Sequence, residues 1–119
     1  MNTSDTHTKE AGVAHWKWQR RSALVLVPLS LWIIYSLVQS IGLEFAEARA
    51  WVAHPVVAVL LTIFMVALFY HAKLGLQVII EDYIADLSGR RSILKISNLL
   101  CWIAMLVGIV SILKIALNV

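Results

Sequence analysis

Phe64-Met65-Val66-Ala67-Leu68-Phe69-Tyr70-His71 belongs to an apolar run that opens at Pro55 and reaches Ile80 before Glu81-Asp82-Tyr83 closes it. About 26 residues at a rise of ~1.5 Å make a helix of roughly 39 Å, longer than a hydrocarbon core of about 30 Å. The run predicts a membrane-spanning helix over about residues 55–80 that tilts or projects beyond the core, with Pro55 suited to its first turn. An ionisable side chain inside such a span is costly and by default marks a functional site. His71 is therefore the first candidate.

Two further runs flank this one. Ser22 to Leu43 carries no charged residue and at about 22 residues reaches roughly 33 Å. Pro28 falls in its second turn, where it removes an amide donor and can bend the helix. Ile96 to Leu113 is uncharged between Lys95 and Lys114, whose stems can lie along apolar surface while their ammonium groups reach the interface. The expected fold is an all-α membrane protein with three transmembrane helices over about 22–43, 55–80 and 94–117. An anchor domain then spans 22–117, behind a polar N-terminal segment, 1–21. Glu44 to His54 and Glu81 to Lys95 are the expected connections, with Ser88-Gly89 as the turn of the second.

Composition agrees. Of 119 residues 61% are hydrophobic and 14% charged, against about a quarter charged in soluble domains; the mean hydropathy is +0.82. The net charge of +3 is small, and its cations gather at the ends of the apolar runs, which argues against nucleic-acid binding. Cys101 is the single cysteine, so an internal disulfide, a zinc site of paired cysteines and an iron–sulfur cluster held by this chain alone are excluded. The N-terminus lacks the early apolar core and cleavage site of a secretory signal, and an uncleaved chain is expected.

Lys and Arg counts set the orientation. Lys9, Lys17, Arg20 and Arg21 precede the first span, and Arg90, Arg91 and Lys95 follow the second; the first loop has only Arg49. The N-terminus and second loop are thus expected in the cytoplasm, with Trp16 and Trp18 at the inner interface and Trp51 at the outer one.

On a helix, Ala67, His71, Gly75, Val78 and Asp82 share one stripe. Small residues stand one turn to either side of His71, and Gly75 lets a backbone or a flat ring approach closely. Two readings of His71 are open at this point: a hydrogen bond to a neighbouring helix, or an axial ligand to haem iron, for which imidazole is the common choice. His7, His15 and His54 lie before the first span or at the outer mouth of the second, so a second histidine ligand has to come from another chain. Asp82 and Tyr83, at the inner end of the second span, are either interface anchors or a quinone contact, the phenol donating to a carbonyl and the carboxylate assisting. Arg20 or Arg21 can fork onto a propionate, or simply anchor the inner face. Lys73, turned about 200° from His71, is expected to snorkel inward, or else to pair with an acidic group of a partner.

His15-Trp16-Lys17-Trp18-Gln19-Arg20-Arg21-Ser22-Ala23, together with His71-Ala72-Lys73-Leu74-Gly75 and Gln77-Val78-Ile79-Ile80-Glu81-Asp82-Tyr83, resembles the hydrophobic membrane anchor subunits of succinate dehydrogenase, the smaller anchor chain of respiratory complex II. The likeness covers essentially the whole chain. It implies that His71 is one axial ligand of haem b, that Tyr83 hydrogen-bonds ubiquinone with Asp82 in support, and that Arg20 stands near the haem. It further implies packing into a bundle with the cytochrome b556 anchor subunit, which supplies the other ligand, and docking of an iron–sulfur subunit and a flavoprotein subunit. Location would be the bacterial cell inner membrane, or the mitochondrial inner membrane. The chain has no flavin or cluster motif, so succinate oxidation in the tricarboxylic acid cycle would belong to its partners. The Arg-Pro-x-Ser-Pro-His signature of the cytochrome partner is absent. Competing readings are an anchor of fumarate reductase or formate dehydrogenase, and a small transporter or scaffold without haem.

Overall fold

The computed structural model describes residues 3–119, with side chains from residue 10 onward; His7 and Lys9 lie outside the described side chains. Four helices follow one another: α1 (Thr3–Gln39), α2 (Phe45–Ala53), α3 (Pro55–Tyr83) and α4 (Leu87–Ala116). The described residues contain no strand. Three segments are long and apolar enough to cross a membrane: Glu10–Gln39, Pro55–Tyr83 and Leu87–Ala116.

The helix ends differ from the sequence expectation for local reasons. α1 is a single helix that includes the polar N-terminal stretch and runs through Pro28. It stops at Gln39, ahead of Leu43, because Gly42 takes φ +90, a left-handed setting that ends helices and that glycine reaches without strain. The first connection holds a helix of its own, α2. Its start is fixed by the Glu44 backbone N–H donating to Glu47 Oε2 at 2.9 Å, half of a capping box. His54 then caps α3, its Nδ1 accepting from the Val56 backbone N–H at 3.3 Å.

The second connection shrinks most. α3 continues through Glu81-Asp82-Tyr83, its last turn supported by Gln77 Nε2 donating to Glu81 Oε1 at 3.0 Å. Asp86 caps α4, its carboxylate accepting from the Gly89 backbone N–H at 2.9 Å. Ser88 and Gly89, expected as the turn, therefore lie in the first turn of α4, and only residues 84–86 connect the two helices. Arg90 Nε donates to the Ile84 carbonyl at 2.8 Å and closes this turn.

α3 is the central element. It packs against both α1 and α4, α2 touches α3 and α4, and α1 and α4 make no contact with each other among the described residues. α1 runs antiparallel to α3, with Trp18 edge-on to Tyr70 at 6.1 Å, and farther along α1 the Trp32 ring meets Trp51 of α2 at 5.8 Å. On the other side Met65 fills the space over Gly108. Lys73 Nζ lies 5.3 Å from the Trp102 ring and 5.9 Å from the Tyr70 ring, bridging α3 to α4 through cation–π attraction.

This row of helices encloses little. Leu26, Ala58, Leu74, Ile80, Met105 and Ile112 are its buried apolar residues. The accessible surface is 8664 Å², whereas a compact soluble chain of this mass exposes about 6,500 Å². Apolar side chains such as Leu24, Leu31 and Ile34 of α1 and Leu99, Val107 and Val110 of α4 point outward. Lipid or a partner's helices must cover them.

Replacing Asp86 tests the revised α3–α4 connection. Asp86→Ala removes the cap and lowers stability by about 1 kcal/mol, seen as a lower SDS midpoint for loss of helical signal in the detergent-solubilised protein; Asp86→Asn retains the wild-type midpoint.

Candidate functional site

His71 lies half-buried on the face of α3 that meets α1. Its Nδ1 is 2.9 Å from Ser22 Oγ, and the same oxygen donates to the Gln19 carbonyl at 2.9 Å. Ser22 is itself buried. An α-helical repeat puts His15, Gln19 and Ser22 on one stripe of α1, the stripe that faces α3. Gln19 lies over Gly75: a Cβ there would stand 3.8 Å from Gln19 Nε2. Clearance at Gly75 is thus used by α1. His15 Nε2 and Gln19 Oε1 are buried with no hydrogen-bond partner, and leaving such an atom unpaired costs about 1–3 kcal/mol.

Two clefts flank this seam on opposite sides of α1. One, of about 360 Å³, is lined by His71 with Ala23, Leu26, Val27, Ser30 and Leu31. The other, of about 370 Å³, is lined by apolar residues together with Arg21, Ser22 and Tyr70. Helical geometry separates the two arginines. Arg20 stands one turn before Ala23 and in line with Val27, on the flank of the His71 cleft, with its guanidinium 4.8 Å over the Trp16 ring. Arg21 faces the other cleft, 5.2 Å over Trp18.

Asp82 and Tyr83 do not join His71. They end α3 about 18 Å further along the axis, and Tyr83 is 84% exposed. Both are solvent- or partner-facing at the α3–α4 turn, as is Glu81. Arg90 and Arg91 follow directly at the α3–α4 turn, while Lys17, Arg20 and Arg21 lie on the stretch of α1 between the His71 level and that end, since α1 and α3 are antiparallel. His54 is spent on capping α3 at the opposite end, and His15 is about 10 Å along α1 from Ser22. Among the described residues no three His, Cys, Asp or Glu side chains gather to hold a metal ion.

Ser22 and Gln19 were not singled out in the sequence, where Ser22 only opens an apolar run. The available signal is the spacing of His15, Gln19 and Ser22 at i, i+4 and i+7, a polar line on a helix otherwise entering the membrane.

Comparison with known proteins agrees with the geometry. The family model for the succinate dehydrogenase/fumarate reductase transmembrane subunit matches residues 3–111. The succinate dehydrogenase hydrophobic membrane anchor subunit of Rickettsia bellii is 30% identical over 112 residues, 92% of this chain and 90% of that protein. That of Rickettsia felis is 31% identical over 93 residues, 78% of each chain, and that of Rickettsia conorii 29% over 112 residues, 93% of this chain and 89% of that protein. With three helices long and apolar enough to cross a membrane, the chain belongs to the succinate dehydrogenase/fumarate reductase transmembrane subunits as a multi-pass membrane anchor.

Proposed function

We propose that this chain anchors a succinate:quinone oxidoreductase in the bacterial inner membrane, holds haem b through His71 jointly with a cytochrome b subunit, and contributes Asp82 and Tyr83 to the site of ubiquinone reduction. The observation that carries the reading is the half-buried His71 beside an open apolar cleft, with one ring nitrogen already engaged by Ser22.

The residues fit a haem. The His71 cleft has apolar walls suited to a macrocycle, and Arg20 stands on its flank, able to meet a propionate as a bidentate donor. Bound there, a haem supplies one-electron redox chemistry. This chain has one suitably placed imidazole, so the second ligand falls to the partner anchor subunit. The uncovered faces of α1 and α4 support such a partner, because a row of three helices cannot bury both sides of itself.

Asp82 and Tyr83 suit the quinone end. The Tyr83 phenol can donate to a quinone carbonyl while its ring borders the apolar tail. The Asp82 carboxylate can orient that phenol or relay a proton from the aqueous side. Arg90 and Arg91 at this end, with Lys17, Arg20 and Arg21 on the α1 stretch that leads to it, support a cytoplasmic location for it. An iron–sulfur subunit carrying electrons from a flavoprotein subunit would dock against the same exposed end.

Three outcomes test this. The complex purified through this chain gives a b-type reduced-minus-oxidised spectrum, and His71→Ala weakens or shifts that spectrum while the chain still inserts in the membrane. Tyr83→Phe slows quinone reduction about tenfold, the equivalent of one hydrogen bond near 1.4 kcal/mol, with succinate oxidation by an artificial dye unchanged. A normal quinone rate in Tyr83→Phe refutes the quinone assignment.

A further inference from the structure

We propose that Ser22 fixes the tautomer and ring setting of His71, holding the proton on Nδ1 and leaving the Nε2 lone pair available to iron. The inference deepens the haem reading above and rests on it.

Counting protons around Ser22 Oγ assigns each hydrogen. Ser22 Oγ carries one hydrogen and stands 2.9 Å from two neighbours, the Gln19 carbonyl and His71 Nδ1. A carbonyl oxygen can only accept, so the hydroxyl hydrogen belongs to the Gln19 contact. The lone pairs of Oγ then face Nδ1, and a short contact between them requires the hydrogen on Nδ1. Neutral imidazole has one N–H, so Nε2 is left as the acceptor. The opposite arrangement, with Ser22 donating to Nδ1, faces Oγ and the Gln19 carbonyl across 2.9 Å with no hydrogen between them. It also puts the ring proton on Nε2. Ser22 is 8% exposed, which leaves little room for water to replace it on Nδ1.

The chain Nδ1–H to Oγ, then O–H to backbone carbonyl, polarises in one direction, each bond strengthening the next. A ring whose distal N–H is held by an acceptor is a more electron-rich ligand, which favours the ferric over the ferrous state. Because Ser22 belongs to α1 and His71 to α3, the setting of the ring is tied to the register of these two helices. Ser22 is a positioning residue: it acts through His71.

The test is a redox titration and a ferric EPR spectrum of the haem in the purified complex, for wild type, Ser22→Ala and Ser22→Thr. Thr keeps the hydroxyl and can make the same bond to a carbonyl one turn back. Ser22→Ala is expected to shift the haem midpoint potential upward with altered g-values, or to lose the haem, while Ser22→Thr keeps the wild-type potential and spectrum. The proposal is overturned if Ser22→Ala keeps the wild-type potential and g-values, or if Ser22→Thr is altered as much as Ser22→Ala. A colourless wild-type complex instead sinks the haem reading itself, a result distinct from either variant's behaviour.

Discussion

His71 carries two ring nitrogens into a layer where water is scarce, and each has to be accounted for. Ser22 takes one of them at 2.9 Å. That contact does more than satisfy an atom. It joins the middle of α3 to the start of the apolar part of α1, and it agrees in register with Trp18 against Tyr70 and Gln19 over Gly75. The other nitrogen is where the proposed chemistry begins. A side chain this expensive in lipid is best explained when both of its nitrogens have a task.

Around that contact the molecule is open by construction. α3 has neighbours on two sides, while α1 and α4 stay apart among the described residues. Exposed apolar side chains such as Leu24, Leu31 and Ile34 on α1 and Leu99, Val107 and Val110 on α4 contribute to the excess of accessible area over a compact chain. A row of helices of this kind is stable only with its faces covered, which is why an anchor subunit is half of a structure. The polar chemistry is then divided between two levels: His71 within the apolar layer, and Asp82 and Tyr83 on the exposed end of α3. The separation of about 18 Å fits a division between a haem held among helices and a quinone admitted near the aqueous boundary.

Much of this was legible from residue types and spacing. The long apolar run ending at Glu81-Asp82-Tyr83 identifies α3, and the positions of Lys and Arg distinguish its two ends. Helix limits were less legible. The α3–α4 connection reads as a long polar loop because Glu81, Arg90 and Arg91 are charged, yet Asp86 caps so early that three residues suffice. α2 was hidden because a nine-residue helix leaves no periodic signal strong enough to separate from a loop, although Glu44 and Glu47 carry its cap. For Lys73 the sequence leaves a snorkelling ammonium or a partner's acidic group open, and the fold adds the rings of Tyr70 and Trp102, 5.9 Å and 5.3 Å from its Nζ.

Sequence alone determined that this chain crosses a membrane three times, and it singled out His71, Asp82 and Tyr83 as candidates for the proposed chemistry. Both follow from local cost: apolar runs of spanning length have nowhere else to go, and an imidazole within one needs a reason. Which atoms meet that imidazole was decided by tertiary structure. Ser22 and Gln19 are forty-nine residues or more from His71 along the chain, and only the antiparallel register of α1 on α3 brings them together. The same register sends Arg20 to the flank of the His71 cleft and Arg21 to the opposite side, a choice that adjacent arginines in a sequence cannot express.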